Sequence, residues 1–177
     1  MPRSKISDAK PLGRSLQAKL GKVRMLAMDV DGVLTDGGMY YSETGDELKK
    51  FHVRDGMGIK LLQAAGFVTA FITREKTAIV ERRGQKLAVP EIHQAIDDKL
   101  ADLTRLTRKY GLTLEQVAYI GDDVNDLETL RAVGFSSAPA DAVPAVLQAA
   151  HYVCVKKGGE GAVRELADLL LAVRGKS

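Results

Sequence analysis

Val23-Arg24-Met25-Leu26-Ala27-Met28-Asp29-Val30-Asp31-Gly32-Val33 is the stretch on which the fold turns. A nearly unbroken apolar run that ends in acid predicts a buried strand over 23–30, with two carboxylates at its carboxyl end. On a straight strand Asp29 and Asp31 share a face. At a strand end, Gly32 lets the chain turn so that both reach one crevice. A single Asp at such a place is an ordinary turn or cap residue. The meaning of the pair therefore depends on what the rest of the chain delivers to the same edge.

Outward from that strand, short apolar runs alternate with stretches of helical spacing. Met39–Tyr41 and Leu48–Val53 flank Glu43-Thr44-Gly45-Asp46, a turn between two short runs, and predict a β-hairpin. A helix is expected over 57–65, closed by Gly66, then a strand over 68–73 and a helix over 77–87. A weak strand over 92–96 precedes a helix over 98–110 that ends at Gly111. Strands over 117–120, 135–138 and 152–155 alternate with helices over 125–133, 143–149 and 161–173. Strands and helices of this length in alternation imply βαβ units: an α/β, Rossmann-like doubly wound parallel sheet with helices on both faces. Between the first two major strands there is only this hairpin, a flap too short to be a cap domain.

The 177 residues suit one compact domain, assigned to 22–177, with residues 1–21 as a basic N-terminal arm that carries a short helix over 15–20. Hydrophobic residues make up 45% and charged residues 28%, the balance of a soluble globular chain. A formal charge of +3 gives no footprint for a nucleic-acid or membrane partner. No aromatic residue is interleaved with the basic residues of the arm. No apolar stretch could span a bilayer and no secretory leader is present, so the cytoplasm is expected. The single cysteine, Cys154, lies in an apolar run and reads as a buried structural thiol.

Parallel sheets of this kind bind ligands beyond the carboxyl ends of their strands. Asp29 and Asp31 follow the first strand, Thr73 the second major one, and Gly121-Asp122-Asp123-Val124-Asn125-Asp126 the strand over 117–120. Lys99 lies beyond the weak strand. Two unit charges about 4 Å apart repel by about 4 kcal/mol at an effective dielectric near 20. Gathering Asp29, Asp31 and Asp122 thus calls for a hard divalent cation with oxygen ligands, for which Mg²⁺ is suited. One carboxylate can attack phosphorus, and the other can protonate the leaving alkoxide and then activate water. Lys99 can offset charge on the phosphoryl group and Thr73 can donate its hydroxyl to it. Asp141 and Asp168 carry no such context and read as structural.

These four motifs, in this order, resemble the haloacid dehalogenase superfamily. The resemblance implies Asp29 as nucleophile and Asp31 as general acid/base. It implies a metal held by Asp29, the backbone carbonyl of Asp31, and Asp122, with Asp123 and Asp126 in support. Over nearly all of 22–174 the chain is similar to the capless branch that acts on phosphates of 3-deoxy-2-ulosonic acids. The stretches that carry this are Asp29–Gly37, Phe51-His52-Val53-Arg54-Asp55-Gly56-Met57-Gly58-Ile59, Ala118–Asp123 and Gly158–Glu165. By that resemblance a homotetramer closes the open site, and His52, Val53, Arg54, Asp55, Gly56, Lys60 and Arg83 line the substrate side. Arg suits a sugar acid that carries a carboxylate as well as a phosphate.

The expected reaction is hydrolysis of the eight-carbon acid phosphate, KDO 8-phosphate. One departure bears on the sugar. The eight-carbon enzymes usually carry Gly-Arg after the threonine of the second motif, whereas Thr73 is followed here by Arg74-Glu75-Lys76. Glu75 thus stands where a substrate-binding Arg is expected. With Lys86 and Arg83 on the next helix, this version is similar to phosphatases of the nine-carbon KDN or sialic-acid type of 9-phosphate. A longer polyol tail offers hydroxyls to Glu75. Two other classes are a non-catalytic oligomerisation domain of this fold, which would be expected to lose Asp29, Asp31 or Lys99, and a phosphotransferase.

Overall fold

The computed structural model describes residues 13–45 and 47–175. The expected turn residue Asp46 and the arm residues 1–12 lie outside the described residues. The apolar run around Asp29 forms β1, Met25–Met28, and every one of its residues is buried. It pairs in parallel with β4, Val68–Ile72, on one side and β6, Val117–Ile120, on the other. β5, Glu91–His93, lies beyond β4; β7, Phe135–Ala138, and β8, Tyr152–Val153, extend the sheet past β6. The spatial order is β5-β4-β1-β6-β7-β8. The order reverses beside β1, so β1 marks the topological switch point and the crevice opens where Asp29 leaves the strand.

Successive side chains on a strand point to opposite faces. Leu26 and Met28 enter one core with Phe71 and Ile120, beneath α1, Arg14–Lys22, α2, Val53–Ala64, and α7, Ala162–Arg174. Met25 and Ala27 enter the other with Ile72 and Tyr119, beneath α4, Lys99–Lys109, α5, Leu127–Ala132, and α6, Pro144–Ala149. The helix α3, Ala78–Lys86, is N-capped by the Thr77 hydroxyl, which accepts the Val80 N–H at 3.2 Å. The described part of the arm is α1, whose Leu20 is buried in the first core; it is part of the body.

Two of the differences from the sequence expectation have physical causes. α2 begins at Val53, four residues before the helical spacing becomes visible, because Gly56 and Gly58 depress helix propensity. They are there for close packing. A Cβ at Gly56 would lie 2.6 Å from Arg83 Nη2, and one at Gly58 3.1 Å from Arg164 Cα on α7. Asp55 then accepts the Gly161 and Arg164 N–H groups at 3.2 and 2.7 Å, which caps α7 from a neighbouring helix. The weak strand also stops at His93, since the Ile96 N–H turns back to the Thr73 carbonyl at 3.1 Å. β2, Tyr40–Tyr41, and β3, Glu47–Leu48, form the expected antiparallel hairpin, shorter than the apolar runs suggest.

Candidate active site

Asp29 is the first residue past β1, and its N–H still donates to the Ile120 carbonyl at 3.0 Å. The carboxylate is pinned at both oxygens. Oδ1 accepts the Val30 N–H at 2.7 Å and Oδ2 meets Lys99 Nζ at 2.8 Å. Lys99 opens α4, where the N-cap Asp98 accepts the Ala101 N–H at 2.8 Å. The buried ammonium also donates to Asp126 Oδ1 at 2.7 Å. Asp126 Oδ1 accepts the Tyr119 hydroxyl at 2.6 Å, and Oδ2 accepts the N–H groups of Asp122 and Asp123 at 3.0 and 3.3 Å. Asp126 is thus fully engaged behind the site and fixes the loop that carries Asp122.

Gly32 has φ +77°, and a Cβ there would lie 2.0 Å from Asp122 Oδ2. Only glycine lets the two acid-bearing loops close on each other. Asp31 Oδ1 receives Lys49 Nζ at 2.6 Å from the chain just past the hairpin, and its Oδ2 is buried without a partner. Asp122 Oδ1 and Asn125 Oδ1 are likewise buried and unpartnered. A crevice of about 480 Å³ is lined by Asp29, Asp31, Thr73, Asp122, Asp123 and Asn125, with Arg74, Glu75 and Asp97 at its rim. Glu75 is thus among the residues that line the crevice.

Oxygens of Asp29, Asp122 and Asp126 lie within 4.8 Å of one another. Burial pushes the Asp29 carboxyl up to about 7, helped by repulsion from Asp126 and opposed by Lys99. Burial, then repulsion from Asp29, Asp126 and Asp123, pushes Asp122 up to about 8. The buried phenol of Tyr119 stays protonated, held up first by desolvation and then by the Asp126 charge. An all-oxygen set, short of positive charge and with unpartnered buried oxygens, fits a hard divalent cation. Since Asp126 has no oxygen to spare, the members of this cluster that fit such an ion are the Asp29 and Asp122 carboxylates.

The remaining candidates lie apart. Arg83 Nη2 donates to the His52 carbonyl at 3.3 Å, and its guanidinium stacks 5.4 Å from the Phe51 ring centre. Val53, Arg54 and Lys60 are exposed on α2, Lys86 is exposed at the end of α3, Asp55 is buried at the α2–α7 contact, and Gly56 is buried against Arg83 and Leu87. None of these lines the crevice within this chain. His52 Nδ1 and Arg83 Nε are buried without partners. Two residues of the site escaped the sequence reading, Lys49 and Tyr119, and Asn125 stood in the fourth motif without a role. The strand alternation on β6 could have flagged Tyr119, which shares the Met25 and Ala27 face. Cys154 is buried as expected, and burial drives its thiol up to about 12.

The raised carboxyls give a testable linkage. Both groups start from an ordinary carboxyl value of 3.8, so between about pH 4 and about pH 8 the metal-free folded chain binds more protons than the unfolded one. Their stabilising contribution is complete at low pH and lost as pH rises through about 7 and 8. The melting temperature of the EDTA-treated protein should therefore fall between about pH 5 and about pH 8, and each kcal/mol should be worth about 2–4 °C in a domain of this size. Added Mg²⁺ should raise it more at the higher pH. An equal Mg²⁺ shift at both ends would contradict the charge assignment.

The comparisons agree with this geometry. The family profile of haloacid dehalogenase-like hydrolases matches residues 68–166. The 3-deoxy-D-manno-octulosonate 8-phosphate phosphatase KdsC of Escherichia coli K12 is 42% identical over 166 residues, 94% of this chain and 88% of that protein. The crystal structure of the phosphatase of that name from Yersinia pestis superposes with a TM-score of 0.91 at 42% identity, over 94% of this chain and 90% of that one. The Moraxella catarrhalis phosphatase, solved with magnesium, phosphate and KDO, gives 0.89 at 39% identity, over 91% and 92%. This chain belongs to the haloacid dehalogenase-like hydrolases.

Proposed function

We propose that this chain is a Mg²⁺-dependent phosphatase that converts KDO 8-phosphate to KDO and phosphate through an aspartyl-phosphate on Asp29. One observation carries the reading: a buried carboxylate at the switch point of the sheet, pinned by Lys99 at 2.8 Å and facing the unpartnered oxygens of Asp31 and Asp122. The strong likeness to 3-deoxy-D-manno-octulosonate 8-phosphate phosphatases supplies the substrate.

With both oxygens held, Asp29 has one orientation, which lowers the entropic cost of an in-line attack. Its carboxylate oxygen bonds to phosphorus as the ester P–O bond breaks. Asp31 gives its proton to the departing alkoxide, then takes one from the water that hydrolyses the acyl phosphate. Lys49 steadies Asp31 through one oxygen and leaves the other for the proton. Lys99 offsets negative charge beside Asp29, and the Thr73 hydroxyl serves a phosphoryl oxygen. Asp29, Asp122 and the Asp31 carbonyl would hold the Mg²⁺, which would supply positive charge to offset that of the phosphoryl group. Asp123 and Asp126 support the loop. The intact acid set argues against a non-catalytic domain of this fold.

One further reading rests on exposure. Met39, Tyr40, Tyr41 and Leu48 on and beside the hairpin, and Val53, Met57 and Leu61 on α2, are large exposed apolar side chains. A two-stranded hairpin is marginal alone, and patches of this kind mark association surfaces. We read them as the contacts of a homotetramer that brings His52, Arg83 and Lys86 of one copy toward the crevice of another. No helix among the described residues is long and apolar enough to cross a membrane, and the cytoplasm is the proposed compartment. A second substrate reading, a nine-carbon KDN 9-phosphate, is favoured by Glu75 at the crevice rim, where its carboxylate can accept from a polyol tail.

Asp29→Asn should lower kcat by about 10³-fold or more while the fold stays intact by circular dichroism; retained turnover would remove Asp29 as nucleophile. Phosphorylated eight- and nine-carbon ulosonic acids, compared by kcat/KM, choose the sugar. Glu75→Arg should then shift that ratio by about tenfold or more against the longer acid, the scale of a charged hydrogen bond. Light scattering should give a tetramer that Tyr41→Glu with Leu48→Glu dissociates; a monomeric wild type would reject the assembly.

A further inference from the structure

Six carboxyl groups line the crevice, from Asp29, Asp31, Glu75, Asp97, Asp122 and Asp123, and Arg74 is the one cation among its described lining residues. Lys99 is committed to Asp29 and Asp126, and Lys49 to Asp31. An incoming sugar-acid phosphate brings two anionic groups. The cation site serves the phosphate; within one chain, the carboxylate meets acid on nearly every side of the crevice.

Arg74 is placed to change that. Its backbone follows Thr73, which is clamped by its N–H to the His93 carbonyl at 3.0 Å and its carbonyl to the Ile96 N–H at 3.1 Å. From this fixed base the guanidinium crosses the rim to Asp97, with Nη2 3.4 Å from Oδ1. The pair is weak. The Arg74 side chain is 57% exposed and that of Asp97 93% exposed, and such surface pairs contribute almost nothing net. The guanidinium can therefore exchange Asp97 for another carboxylate at little cost, and its planar fork suits two-point binding of one.

We propose that Arg74, resting on Asp97 at the crevice rim, is a specificity-determining residue that clasps the carboxylate of the substrate and so selects sugar-acid phosphates over phosphate esters without an acid group. The inference rests on the substrate class proposed above. It differs from the expectation for Arg83, which does not line this crevice within the chain.

The test compares wild type, Arg74→Gln and Arg74→Lys on KDO 8-phosphate and on a pentose 5-phosphate that lacks a carboxylate. Arg74→Gln should raise KM for the acid substrate about tenfold, leave kcat within about twofold, and leave the pentose phosphate unchanged. Arg74→Lys, a cation without the fork, should recover only part of the loss. Equal changes on both substrates, or none on either, would overturn the role. If wild type shows no preference for the acid substrate, the substrate class fails and the inference with it. If wild type prefers it and Arg74→Gln keeps the full preference, the inference alone fails.

Discussion

The site depends on one buried ammonium. Lys99 sits between Asp29 and Asp126 at 2.8 and 2.7 Å, almost wholly out of water. Burying a lone charge is costly, and so is burying two carboxylates side by side. Together they are tolerable, because each satisfies the others' hydrogen-bonding capacity. Lys99 also begins a helix, where the backbone dipole disfavours a cation. Only the two acids make that position workable. This arrangement fixes the orientation of Asp29, and through Asp126 it fixes the loop that presents Asp122.

Charge remains unbalanced even so. Asp31, Asp122 and Asp29 outnumber Lys49 and Lys99, and burial first, then the mutual repulsion of the acids, raises the carboxyls of Asp29 and Asp122. The deficit is functional. A site neutral by itself would have no use for a hard cation, and a phosphoryl group would find no counter-charge beyond Lys99. The fold supplies the rigidity this needs: β1 is hydrogen-bonded on both sides, so the carboxyl end of the strand cannot move aside to relax the repulsion.

Much of this was legible in the sequence because it follows from local pattern. Asp29, Asp31, Thr73 and Asp122 each come directly after an apolar run, and parallel strands aligned by their βαβ connections must place them on one edge. The doubly wound order β5-β4-β1-β6-β7-β8 matches the expected architecture. What escaped was set by distant contacts. Lys49 reaches Asp31 because the hairpin folds back, and Tyr119 reaches Asp126 because a loop curls over its own strand. The start of α2 was hidden by Gly56 and Gly58, whose purpose lies in Arg83 and Arg164, far along the chain. The residues expected on the substrate side, His52–Gly56, Lys60, Arg83 and Lys86, lie outside the crevice of a single chain, where sequence pattern has no bearing on how copies would meet.

The central claim is that the phosphoryl group passes through a covalent bond to Asp29. Its most direct test is rapid acid quench of enzyme mixed with Mg²⁺ and excess KDO 8-phosphate, followed by peptide mass spectrometry. A phosphoryl adduct on the peptide that contains Asp29, formed within the first turnover and sensitive to hydroxylamine, is the predicted result. Turnover with no adduct on that peptide, or an adduct on another residue, would contradict it.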